Sequence, residues 1–297
     1  MPIPQSEVSI MSLIEMSRAG ALLIALIILL RPLAGRCLPR RTWLVLWALA
    51  LARLLVPITI PSRVSLIRPS AAPRAALPLL LASPQPATAP AGPLPPAASG
   101  ASLAIDPLWL LWLVIALALA ALLVGRHLHG RLLYQQALPA CAPIVQRWLA
   151  EQRLRRPLRV RVLDRIASPL TYGLLRPTIL LPSSTDWQDE RQLAFILTHE
   201  LVHIKRFDVL YKSLLALALC LHWFNPLVWL MVMLANRDLE LCCDEAVLRR
   251  LGDGTGYALT LVALAEQSSA SPLVSHFSHH RLRERIVAIM KYKPRCV

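Results

Sequence analysis

Long stretches without charge dominate the first half of the chain. Val8–Leu30 is apolar apart from a few small polar residues and the pair Glu15 and Arg18. Trp43–Ile60 is broken only by Arg53 and ends around Pro57, and Pro107–Val124 forms a third run. A helix rises about 1.5 Å per residue, so with some tilt such runs can cross a hydrocarbon core about 30 Å thick. Glu15 and Arg18 stand three apart and share a helix face. Inside a span such a pair marks function by default; nearer the interface Arg18 reaches outward to water. No small-residue cleavage site follows the first run, so a removed signal peptide is not expected.

Between and beyond these runs the pattern changes. Residues 61–106 are rich in Pro, Ala and Ser with few charges, which predicts an irregular extracytoplasmic loop. After Arg126, His127, His129 and Arg131 the spacing predicts a helix from Leu132 to about Arg155, broken near Pro139 and Pro143. The two histidines are spaced for a strand rather than for one helix face. Leu158–Ile166 alternates as a half-buried strand does. Ser168–Gly173 reads as a turn and Thr178–Leu181 as a second strand. Pro177 and Pro182 flank that strand, which predicts an edge. An open edge can hold an extended peptide, so Thr178, Ile179 and Leu180 are candidate substrate-binding residues. Thr185 and Gln188 have capping-box spacing and predict the start of a helix running through Ala194 and Leu197.

Composition sharpens this. The 297 residues are 56% hydrophobic and 16% charged, against roughly 25% charged in soluble domains. The net charge of +15 comes largely from arginines beside the apolar runs, and no nucleic-acid-binding module appears, so direct nucleic-acid binding is not expected. Arg31, Arg36, Arg40 and Arg41 crowd one short loop, which puts that loop in the cytoplasm and the N-terminus outside. The six cysteines, Cys37, Cys141, Cys220, Cys242, Cys243 and Cys296, show neither CxxC spacing nor a secreted framework and read as mostly reduced thiols.

The chemistry concentrates in His199-Glu200-Leu201-Val202-His203, an HExxH pattern on the predicted helix. Residues four apart lie on one face, so His199 and His203 can offer two imidazoles to one metal. Glu200 is placed to act on a water as general base. A catalytic zinc needs a third protein ligand and an open position. Val209–Leu234 is almost uncharged and, as one straight helix, would carry the chain about 39 Å to the far side of the membrane. His222-Trp223-Phe224-Asn225-Pro226 interrupts it, and proline breaks a helix. The expectation is therefore a hairpin over 209–234 that dips into the bilayer and returns. It brings back Glu240 as third ligand and Asp244, on the same face, to accept a ligating histidine's free N–H. Cys243 is the alternative ligand; Glu245 points elsewhere as a solvated charge, and His222 sits at the bend.

The words Ser168–Pro182 (SPLTYGLLRPTILLP), Thr198–Asp208 (THELVHIKRFD), His222–Leu230 (HWFNPLVWL) and Asp238–Leu248 (DLELCCDEAVL) resemble the BlaR/MecR-type integral membrane zinc peptidases, gluzincins with HExxH followed by ExxxD. The resemblance covers about 8–290. It implies one zinc on His199, His203 and Glu240, Glu200 as base, Asp244 as supporting acid, and a structural or orienting role for Arg206 and Asp208. It further implies cytoplasmic cleavage of a protein substrate, typically a dimeric winged-helix repressor, and in some members self-cleavage. Antibiotic-sensing members continue into an extracellular penicillin-binding sensor. No Ser-x-x-Lys site follows Arg283-Glu284-Arg285-Ile286 here, so beta-lactam sensing is not expected.

The expected fold is a mainly α protein of the bacterial inner membrane. It has helices at about 8–30, 43–60 and 107–125 and a cytoplasm-facing α+β, gluzincin-like peptidase domain over 126–297 with a small edge-strand sheet. The expected function is zinc endopeptidase in signal transduction. Two alternatives stay open: a non-catalytic membrane signalling scaffold, which has no need of Glu200, and a broad quality-control peptidase resembling the HtpX type.

Overall fold

A computed structural model describes residues 5–34, 38–56, 107–268 and 275–292. The 61–106 loop, Arg36, Cys37 and Cys296 lie outside the described residues. The chain is mostly helical, with one small mixed sheet.

Helices α1 (Gln5–Ala34) and α2 (Arg40–Leu55) form an antiparallel pair, and α3 (Pro107–Gln135) stands against the hairpin helix α6 (Asp208–Leu221). Among the described residues two segments, Leu13–Ala34 and Pro107–Gln135, are long and apolar enough to cross a membrane. Their outer faces carry Leu22, Leu29, Leu108, Val114 and Leu117 exposed. Large apolar side chains exposed along both helices fit lipid better than water. Glu15 and Arg18 both lie exposed on α1. The third run extends ten residues beyond expectation, to Gln135, so His127 and His129 sit exposed on a helix, not on a strand.

The chain then forms β1 (Leu138–Pro139) and α4 (Pro143–Glu151), started by a proline whose missing N–H costs nothing there. The strands β2 (Arg159–Leu163), β3 (Leu170–Tyr172) and β4 (Thr178–Pro182) complete a sheet of order β1-β2-β4-β3. Two expectations are corrected here. The segment read as a turn contains β3, and β3 is the edge beside the site, pairing antiparallel with β4. The strand flanked by prolines is an inner one, because its partners bond from both sides between Pro177 and Pro182. Gly173, at φ +84°, makes the tight return from β3 to β4, where a side chain would collide with the Arg176 carbonyl.

Helix α5 (Glu190–Arg206) carries the HExxH. It opens at Asp189, whose side chain accepts from the Gln192 N–H, rather than at Thr185, whose hydroxyl instead donates to the Pro182 carbonyl at 2.7 Å. Asp189 stands one residue ahead of the helix and so reaches its free N–H groups. The inner face of α5 packs Leu193, Ile196 and Leu197 against Val160, Ile179 and Leu181 of the sheet. The helix stops at Phe207, a non-glycine residue at φ 59°. Arg156 braces that turn by donating to the Ile204 carbonyl at 2.6 Å and lying 4.1 Å over the Phe207 ring.

The chain does break at the expected place, into two helices longer in sum than the expected 209–234. α6 and α7 (Pro226–Leu251) meet at Asn225, whose side chain caps α7 by accepting from the Leu227 N–H, with Pro226 at the first helical position. The bend is bolted to the first two helices. Asn225 Nδ2 donates to Ser17 Oγ at 2.9 Å, and His222 Nε2 lies 3.0 Å from the Leu54 carbonyl. At the other end of the bundle Asp238 of α7, 5% exposed, accepts from Trp47 Nε1 at 2.8 Å and pairs with Arg31. Arg40 reaches the Leu241 carbonyl at 3.2 Å. The arginine-bearing ends of α1 and α2 and the charged half of α7 therefore share one level. Finally α8 (Gly254–Ser268) and α9 (Ser275–Met290) pack Tyr257, Leu261 and Ile289 against Phe195 and Val247.

Candidate active site

Helix α5 delivers His199 and His203 one turn apart, with their Nε2 atoms 3.1 Å from each other. The returning α7 brings Glu240 to meet them. Its oxygens lie 3.5 Å from His199 Nε2 and 3.8 Å from His203 Nε2. Donors placed tetrahedrally at 2.0–2.1 Å around one ion are about 3.3 Å apart. Two imidazole nitrogens and one carboxylate at these spacings are the donor set that zinc takes, so the residues fit that ion. They floor a cavity of about 380 Å³ walled by β3, α6, α8 and α9.

Each imidazole has its second nitrogen fixed. His203 Nδ1 lies 2.7 Å from Asp208 Oδ2, and a carboxylate only accepts, so the proton sits on Nδ1 and Nε2 keeps its lone pair. Asp208 is five residues on and would face away on a continuous helix. The left-handed turn at Phe207 swings it back. His203's pKa is raised: burial works to lower it, but the Asp208 hydrogen bond and the carboxylates of Glu240 and Glu200 outweigh burial. Arg206 stands at 3.5 Å from Asp208 Oδ1.

His199 Nδ1 is held from farther along the chain. The Tyr257 hydroxyl lies 2.8 Å from it and donates to Asp244 Oδ1 at 2.7 Å. Tyrosine has one proton to give, and that proton goes to the carboxylate, so its oxygen accepts Nδ1–H from His199. Asp244 was expected to accept that N–H directly. At 3.6 Å from Nδ1 it instead acts through Tyr257. Asp244 is 1% exposed and takes two bonds from Arg285, at 2.7 and 2.9 Å. Burial, then the Asp244 charge, pushes the Tyr257 hydroxyl's pKa well up, so it stays protonated.

Glu200 lies beside the cradle and accepts from the Thr171 hydroxyl of β3 at 2.5 Å. Glu240's pKa is well below the usual range. Burial works to raise it, but the bond to His199 and the charge of His203 hold it down. Lys212 at 3.4 Å and Arg285 at 3.7 Å flank its two oxygens.

Other expectations resolve as follows. Cys243 Sγ is 3.3 Å from His203 Nδ1, the nitrogen turned away from the cradle; burial pushes its pKa well up, and it remains a thiol behind the imidazole. Cys141, Cys220 and Cys242 are likewise free. Glu245 pairs with Arg249 at 2.7 Å. Thr178, Ile179 and Leu180 are 4%, 0% and 0% exposed, buried in the inner strand β4, and do not line the cavity. Ser168, Pro169, Leu170 and Thr171 line it instead. Tyr257, Arg285, Thr171 and Lys212 were not foreseen. Tyr257 lies outside every recognisable motif, and only the tertiary fold brings it to His199.

The sequence profile of the family described as BlaR1 peptidase M56 matches residues 11–289. The chain belongs to this family. These are metallopeptidases, which implies a metal, typically zinc, and the BlaR/MecR-type resemblance is thereby upheld. The chain is similar to the regulatory protein BlaR1 of Bacillus licheniformis, at 33% identity over 135 residues, 43% of this chain and 22% of that protein. It is also similar to the methicillin resistance mecR1 protein of Staphylococcus aureus, at 27% identity over 101 residues, 34% of this chain and 17% of that one. The aligned part is thus about a fifth of the length of these relatives. Membership of the family and the two apolar spans make this a membrane-associated metallopeptidase-family chain.

Proposed function

We propose that this chain is a membrane-embedded zinc endopeptidase that cleaves a protein substrate in signal transduction. The observation that carries the reading is the meeting of His199, His203 and Glu240 on two helices joined through the hairpin, with Glu200 beside them at the cavity floor. A bound zinc would bring the pKa of a water toward about 7 and polarise the scissile carbonyl. Glu200 takes the proton of the attacking water and passes it to the leaving amine. Thr171, donating to one Glu200 oxygen, fixes which oxygen is free for that transfer. Asp208 and Tyr257 keep both histidines in the tautomer with a free Nε2 lone pair.

The substrate backbone adds to the open edge of β3, whose residues line the cavity, and so runs past Glu200. The arginine-bearing ends of α1 and α2 lie at the level of Glu240, which by the positive-inside rule turns the site to the cytoplasm and the N-terminus outward. A cytoplasmic regulator, such as a winged-helix repressor, is the substrate class that position serves, in a bacterial inner membrane. The regulatory role carried by the name of the B. licheniformis relative supports the signalling reading over general quality control.

The test is Glu200→Gln. It should retain one zinc per chain while proteolysis falls by about 10²–10⁴-fold. Comparing the cellular proteome of wild type and variant should reveal a fragment made only by wild type. Undiminished proteolysis in Glu200→Gln would overturn the base role of Glu200, and a signalling output that survives the substitution with no proteolysis in either form would leave the scaffold reading standing in its place.

A further inference from the structure

Behind the active site lies a second cavity, a groove of about 270 Å³ between α2, α6 and the middle of α7. One wall is apolar: Leu44, Val45 and Ala48 of α2, with Leu239 of α7 opposite. Val45 is 66% exposed and Ala48 is also open, so this wall faces outward from the bundle. The inner end is polar. Arg206 and Asp208 line it, together with Tyr211, whose hydroxyl is buried and without a hydrogen-bond partner among the described residues. Buried hydroxyls are ordinarily paired, and one left bare costs about 1–3 kcal/mol, so it points to a missing partner.

The order of groups along α2 says what that partner is. Arg40, Leu44 and Ala48 are spaced i, i+4, i+8 and form one stripe, as do Arg41 and Val45 beside it. The stripe is cationic at the level of the active site and apolar toward the hairpin bend. Arg40 stands outside the lining residues, where it donates to the Leu241 carbonyl, and Arg206 adds a second guanidinium within the groove itself. Its contacts, to Asp208 Nε–Oδ1 at 3.5 Å and to Cys243 at 3.5 Å, are long and leave donors to spare. Asp208 is the one carboxylate lining the groove and is already engaged by His203, and Asp238, whose charge also reaches Tyr211, is paired with Arg31 and Trp47.

We propose that this groove is a binding site for one anionic phospholipid. Its phosphate lies between Arg40 and Arg206 and takes the Tyr211 hydroxyl, while an acyl chain runs along Leu44, Val45 and Ala48. The inference rests on the membrane placement of α2 proposed above. A zwitterionic lipid would meet the same apolar wall but not the same charge.

The experiment is native mass spectrometry of the full chain in detergent, titrated with phosphatidylglycerol, phosphatidylcholine of the same acyl chains, and glycerol 3-phosphate. Each cation near an anionic headgroup is worth about five-fold in binding, so two predict a preference for phosphatidylglycerol of roughly 25-fold. Arg206→Gln should lose about five-fold of that preference and Arg206→Lys should keep it. Ala48→Trp, a change on the open face of α2, should expel the lipid while leaving zinc content intact. Equal retention of the two lipids by wild type, unchanged retention in Ala48→Trp, or glycerol 3-phosphate binding as tightly as the lipid would each overturn the site. Lipid retention is read without any proteolysis. A chain that holds the lipid but cleaves nothing upholds the groove and separates it from the peptidase reading.

Discussion

His199 and His203 stand on successive turns of α5 and aim the same nitrogen at the same point, yet they are held by opposite means. The Nδ1 of His203 is fixed from within its own neighbourhood, by an aspartate five residues away across one left-handed turn. The Nδ1 of His199 is fixed from α8, through Tyr257 to Asp244 of α7 and on to Arg285 of α9. The local support forms with the α5–α6 junction. The distant one forms only when three further helices have packed. One imidazole therefore reports on a turn, and the other on the whole domain.

At the level of the ligands themselves this difference should vanish. His199→Ala and His203→Ala should both abolish stoichiometric zinc binding, measured by metal analysis, because two donors leave the ion an incomplete site. A variant of either histidine that kept its zinc would break the cradle of three. The next effect in size separates the two supports. Asp244→Asn removes a buried charge that takes two short bonds from the partly buried Arg285 and should cost about 3 kcal/mol, because it leaves the guanidinium half-paired. Thermal unfolding of the metal-free protein should show that loss. Asp208→Asn should move the same transition less, because Arg206 stands 3.5 Å from Asp208 and makes no pair of short bonds to it.

The contrast also marks what the sequence could say. HExxH announces itself because helical period alone puts two imidazoles together. The Asn225-Pro226 break, and with it the return of Glu240, follows from a proline that cannot continue a helix. The supports do not announce themselves. Asp208 is near in sequence, but its reach depends on Phe207 adopting a conformation that no residue pattern specifies. Tyr257 and Arg285 have no spacing relative to His199 at all. The edge strand was misplaced for a related reason. Prolines at 177 and 182 mark the ends of a strand, and of the four residues between them three pair on both sides. The β3 segment, three residues long, is too short for alternation to reveal. The capping aspartate was missed because Thr185 and Gln188 offered the same spacing one turn early.

Asp208→Asn sharpens the local side of the comparison. An asparagine can still hydrogen-bond Nδ1 but no longer carries the charge that favours its proton, and zinc affinity should fall about 10–100-fold. The pH dependence gives a second readout. A histidine that has taken a second proton cannot donate its Nε2 lone pair, so zinc affinity declines as pH falls through the pKa of His203. That pKa lies above the ordinary 6.5, with the Asp208 bond the largest of the effects raising it. In wild type the decline should begin above pH 6.5, and in Asp208→Asn it should move to lower pH. Zinc titrations at a series of pH values measure both. Identical pH profiles would mean that Asp208 holds the ring without tuning it.

Tyr257→Phe should give the smallest effect and tests the distant side most cleanly. The phenyl ring keeps the packing against Phe195 (ring centroids 5.4 Å apart in wild type) and leaves the Asp244–Arg285 pair in place. Only the oxygen between His199 and Asp244 is lost. Asp244 Oδ1 is already 3.6 Å from His199 Nδ1, so a small shift or one water can restore the link. Zinc affinity should therefore fall by less than about 10-fold, below the range for a lost direct carboxylate. Stability should change little, since Arg285 still neutralises Asp244. A loss as large as that of Asp208→Asn would show that the tyrosine oxygen fixes the tautomer of His199 as firmly as Asp208 fixes that of His203. The long-range support would then rank with the local one.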